Sequence, residues 1–234
     1  MSKENYESKL ALLQEIPADQ VKRPNMPISN VLQEAEDLYI WALEDKEALE
    51  NNSGLDWLVH VEDIPVRAGA LRHVQSLWNS ERYSLEEATK KWKETAPKAY
   101  QLRDNLLDDF RYAFRKQKNL INRVRAIAEG RSHADMIQDL SDLSVLGKSN
   151  AQELIAAKFD LRKLNIAAQQ SEAMAKLLAQ SVGASQERSE TKQIRDRAYA
   201  HLKEAIDEVR DAGKYVFRHN PERYKGYINR YHKK

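Results

Sequence analysis

Cysteine is missing from this chain of 234 residues, and glycine and proline are scarce, with seven and six copies. Without cysteine there is no disulfide framework, no thiolate zinc site and no cysteine nucleophile. Few turn formers beside 32% charged residues point away from sheet and toward long solvated helices. No stretch approaches the ~18 uninterrupted apolar residues of a membrane span. The polar start, Met1 to Ser8, lacks the apolar core of a secretion signal, so a cytoplasmic location is expected. There is also no Gly-rich phosphate loop, no nucleophile elbow and no Glu-x-x-His pair, and neither a cofactor nor a metal is expected.

What is present is apolar residues at helical spacing. Leu154, Ala157, Leu161, Leu164, Ala168, Ser171, Ala175 and Leu178 recur every three or four positions. Ile194, Ala198, Leu202, Ala205, Val209, Ala212 and Val216 do the same. With Ser181-Val-Gly-Ala-Ser185 as a break between them, the pattern predicts a helical hairpin over 149–217, each arm roughly 48 Å long. Upstream, a short helix is expected over 3–15, then a connector holding Pro17, Pro24 and Pro27, then a helix opening at Asn30. Pro65 opens a short helix, and the Ser84–Glu87 capping box opens a long one, bent at Pro97. Gln117 is expected as a polar interruption of its seam, and Ser132 with Asp135 caps the next helix, ended by Gly147. The expected fold is all-α: an elongated up-and-down four-helix bundle over 30–219 with short accessory helices. Residues 1–29 precede it as helix and connector, and 220–234 follow as a basic-aromatic tail.

The net charge is only +2, yet Phe110 to Arg131 and Arg210 to Lys234 each carry a net +6, leaving −10 for the rest. The second stretch interleaves cations with aromatic rings, a combination that grips phosphates while bases stack. Its nucleic-acid candidates are Lys214, Arg218, Arg223, Tyr224, Lys225, Tyr227 and Arg230. Tyr224, Tyr227, Ile228 and Tyr231 also share a helical face, which fits a tail docked on the bundle. The segment around 195–231, with Tyr-Val-Phe-Arg, Asn-Pro-Glu-Arg and Lys-Gly-Tyr, resembles the end of a family of uncharacterised bacterial all-helical proteins. The resemblance implies a helical fold and brings no activity with it.

Acidic pairs suggest a different chemistry. Asp104 with Asp108 and Asp135 with Asp139 are each four apart, the spacing by which facing helices hold magnesium and pyrophosphate in prenyl-transferring enzymes. That use requires all four to converge, and the Ala-rich seams leave little room for a substrate. His201 lies beside a seam and reads as structural. With periodicity everywhere and convergent chemistry nowhere, the first expectation is a non-enzymatic helical protein working through a protein partner or self-association. The second is nucleic-acid binding through 110–131 and 210–234, lost on deleting 214–234. No membrane contact is expected.

Overall fold

The computed structural model describes residues 1–229, and for residues 183–189 their backbone alone. Arg230 and Tyr231 lie outside the described residues. The chain is all-α and 83% helical, with no strand among the described residues. It divides into two compact units, Met1–Glu81 with Glu187–Lys234, and Arg82–Gln186.

Unit 1 begins with α1 (Ser2–Glu15), which buries Leu13, and a connector containing one short 3-10 turn. Helix α2 (Ile28–Glu44) starts at Pro27, whose fixed φ suits a helix start, so Asn30 lies inside it and is not its cap. It buries Val31, Leu32, Ala35, Leu38 and Ala42 on one face. Asp45 separates it from α3 (Lys46–Asn52). A π-helical turn over Leu58–Glu62 leads into α4 (Ile64–Ala113). The last stretch of α8 (Arg162–Val216), the short α9 (Pro221–Tyr224) and a final 3-10 turn complete the unit. Ala198, Leu202, Ala205 and Val209 are buried on the apolar spacing expected of them.

Unit 2 has its own core. Phe110, Phe114, Val124, Met136, Leu140, Leu143, Leu154 and Leu164 pack together from α4, α5 (Lys118–Ile127), α6 (His133–Ser149), α7 (Ala151–Ala156) and α8. Burying a side chain of this size contributes about 1.5–3 kcal/mol. Gly147 lies within α6, where a Cβ would stand 2.7 Å from Phe110 and 2.5 Å from Leu164. A methyl group there would have to push both side chains aside.

Two expected breaks are absent, and one falls where a continuous seam was expected. The hairpin break at 181–185 is not formed, because α8 runs as one 55-residue helix through it. Interior glycine costs about 1 kcal/mol relative to alanine, too little to end a long helix. The side chains of Gly183 and Ser185 lie outside the described residues. The two expected arms thus belong to one helix, the first to unit 2 and the second to unit 1. Ser84 likewise lies inside α4, where continuous hydrogen bonding leaves no orphan donor to cap. Gln117 is exposed at the start of α5 and donates to Glu153 at 3.4 Å, so it interrupts no buried seam.

The capping box at Ser132 is formed in full, with Asp135 N–H on Ser132 Oγ at 3.0 Å and Ser132 N–H on the Asp135 carboxylate at 2.8 Å. Helix α7 ends differently from any expectation. Lys158 adopts φ 59°, and Phe159 N–H returns to the Leu154 carbonyl at 2.9 Å, the arrangement that usually takes glycine. Lys158→Gly is expected to raise stability by about 0.5–1 kcal/mol by relieving the left-handed lysine, as urea unfolding would show.

Candidate functional site

Tail residues named above as nucleic-acid candidates divide sharply. Arg223 is held by Asp45 at 2.7 Å and Glu44 at 3.0 Å, and its guanidinium lies 4.1 Å from the centre of the Trp41 ring. Hydrogen bonding to Asp45 raises its pKa further. Tyr227 is fully buried, stacked on Phe217 with ring centres 5.6 Å apart, and its hydroxyl donates to Asp45 at 2.8 Å. Burial, then this bond, pushes the phenol far up. Lys214, Arg218 and Lys225 stay near the surface with local partners, Asp211, the Tyr215 carbonyl and Glu222. Tyr224 is half-buried, and Arg230 lies outside the described residues. The tail therefore docks on the end of α2 through Trp41, Glu44 and Asp45, and Arg223 and Tyr227 face the protein.

The other basic stretch is arranged differently. Arg111, Arg115, Lys116, Lys118, Arg123, Arg125 and Arg131 are all exposed, and within α5 the buried Leu120 and Val124 leave Lys118, Arg123 and Arg125 on the outer side. Arg111 pairs with Asp108 at 2.8 Å. Among the described residues no carboxylate pairs with the other six. Arg115 lies 4.2 Å over the Tyr112 ring and donates to the Tyr112 carbonyl at 2.6 Å. A groove opens here between the end of α4 and the end of α7, lined by Tyr112, Arg115, Lys116, Glu153, Ala157 and Lys158. Unit 2 as a whole carries eighteen Lys and Arg against thirteen Asp and Glu, while the tail belongs to a unit with twenty against twenty-three. Positive charge thus dominates unit 2, and the tail cations sit in a unit that is net acidic.

The four aspartates do not form a magnesium site. Asp104 accepts from Arg103, Asp108 from Arg111, and Asp135 is spent on the capping box. Asp139 is buried beside Arg103 at 3.4 Å, and burial raises its pKa to about 6 despite that neighbour. No group of three or more His, Asp or Glu among the described residues is placed to hold a metal. No described helix is long and apolar enough to cross a membrane.

No protein family, curated protein or solved structure matches this chain.

One polar cluster in unit 1 was not legible as such. Arg67, only 3% exposed, donates to Asp63 at 2.9 Å, Glu204 at 3.0 Å, the His201 carbonyl at 2.6 Å and the Val59 carbonyl at 3.0 Å. Lys9 reaches Asp63 at 2.7 Å. The His201 ring sits at its edge, and burial first, then Arg67 and Lys9, lower its pKa to about 4. This neutral imidazole costs stability as it is forced to charge. The unfolded chain takes up the proton near pH 6.5 and the fold only near 4, so the contribution is whole above about 6.5 and lost as pH falls toward 4. Lowering the pH from about 7 to about 5 is expected to cost the protein about 1–2 kcal/mol more than it costs His201→Gln, by urea unfolding at each pH.

Proposed function

We propose that this chain is a cytoplasmic, non-enzymatic binding protein whose second unit engages nucleic acid through 110–131. The observation supporting this reading is the set of exposed cations from Arg115 to Arg131 without acidic partners, in a unit with net positive charge. A solvated arginine or lysine gains little from an isolated surface pair, but a group of them on one unit attracts a polyanion by releasing its counterions. Residues 210–234 have a different role in this reading: Arg223 and Tyr227 hold the tail down, so deleting 214–234 tests stability before it tests binding.

The first expectation, contact with a protein partner or a second copy, has less support. Exposed apolar side chains such as Ile40, Val145 and Ile155 are of the scattered kind common on monomers. The discriminating measurement is fluorescence anisotropy of labelled oligonucleotides over a salt series with the full chain. Affinity is expected to fall steeply with salt, and the triple change Lys118→Glu, Arg123→Glu, Arg125→Glu should weaken binding more than tenfold and flatten the salt slope by about 2. Unchanged affinity in that variant, or no binding at low salt, would end the nucleic-acid reading and return attention to a protein partner.

A further inference from the structure

The groove at the end of α7 specifies more than a charged surface does. Resting on the nucleic-acid reading above, we propose that it takes a single-stranded segment, with phosphates against Arg115, Lys116 and Lys158 and a base stacked on Tyr112. Three features point to this ligand. The first is Tyr112, a ring 61% exposed that lines the groove. Arg115 already lies on one face of that ring, so the pair forms a flat cationic-aromatic platform of the kind on which an unstacked base settles.

The second feature is the charge of the walls. Arg115, Lys116 and Lys158 come from two separate parts of the chain, and Lys118 stands just beyond them at the start of α5. The groove's own acid, Glu153, accepts from Gln117 at 3.4 Å and is outnumbered by the three cations. Ala156 and Ala157 also line it, small enough to let a phosphate-sugar chain lie close.

The third is Lys158 itself. Its left-handed backbone is where glycine would be the less strained residue. Holding a lysine there sacrifices stability and places an ammonium at the groove, and strain kept at one position is a pointer to use. A double helix keeps its bases stacked inside and offers Tyr112 no face, whereas a single strand does. An acidic peptide would satisfy the cations and gain nothing from the ring.

The test uses the full chain and labelled oligo-dT and oligo-U of about 20 nucleotides, a duplex of equal length, and polyglutamate. Both single strands should bind tighter than the duplex or polyglutamate. Tyr112→Ala should lose about tenfold in single-strand affinity at an unchanged salt slope, while Tyr112→Phe keeps it. Arg115→Glu with Lys116→Glu should lose at least tenfold and lower the slope by about 1.5. All these side chains are exposed, and matching circular dichroism melts show that each variant is folded. Equal affinity for duplex and single strand, or no effect of Tyr112→Ala, overturns the single-strand proposal while leaving the broader reading in place. Tighter binding of polyglutamate, or no oligonucleotide binding at all, overturns both.

Discussion

Tyr227→Ala is expected to destabilise the protein by about 3–5 kcal/mol, the range for emptying a buried aromatic site. The ring is fully buried, stacked on Phe217, and pressed on Gly213, where a Cβ would come within 2.1 Å of it. A second close approach locks the same tail: a Cβ on Gly226 would fall 1.8 Å from the Trp41 indole nitrogen, which donates to the Arg223 carbonyl at 3.2 Å. Tyr227→Phe keeps the packing and loses the bond to Asp45, so its cost should be only about 1 kcal/mol. Gly226→Ala should fall between the two, since Trp41 must shift to admit the methyl group. Thermal and urea unfolding of the three variants measure the order; a mild Tyr227→Ala would mean that the tail is not docked as described.

Arg67→Met is the second large effect, again about 3–5 kcal/mol, because it strips a buried network of its central cation. Asp63 keeps Lys9, but the Val59 and His201 carbonyls and Glu204 all lose their donor. Arg67→Lys should recover little: one ammonium cannot reproduce a planar fork that serves acceptors in several directions. The histidine beside it offers an independent readout. Arg67 is one of the charges that keep His201 neutral, so its pKa should rise in Arg67→Met, as an NMR titration would register. A small stability loss with an unmoved His201 would contradict the network.

The residues that made the fold legible are those whose pattern serves one face throughout. Ala198, Leu202, Ala205 and Val209 keep their spacing and are buried, and Ser132 with Asp135 caps a real helix start. Capping signals failed where the ladder simply continued. Leu85, Ala88, Ala96 and Ala99 are all buried along α4, so burial carries the helix past Ser84. In the first stretch of α8, Leu164 and Ser171 are buried as expected, but Ala167, Met174 and Leu177 are buried in place of Ala168, Ala175 and Leu178, because at 3.6 residues per turn the same face can be spaced three-then-four or four-then-three. Of the expected aromatic face only Tyr227 is buried, with Tyr224 half-buried and Ile228 exposed, and the tail's anchor was not legible at all, since nothing in the local sequence links Asp45 to Arg223 and Tyr227. The groove was missed for a similar reason. Lys158 and Tyr112 are remote in sequence, and the one local hint was a helix-ending lysine in the position that usually takes glycine.

Both boundaries between the compact units, 81/82 and 186/187, fall inside helices α4 and α8. Unit 2 is thus an insertion into unit 1, entered and left without a spacer. An excised fragment of residues 82–186 would begin and end in mid-turn, each new end baring up to four amide or carbonyl groups that the intact rod satisfies. Splicing 1–81 to 187–234 would face the same difficulty from the other side. Fragment work on this protein will need engineered caps at those four ends before either half can be judged on its own folding.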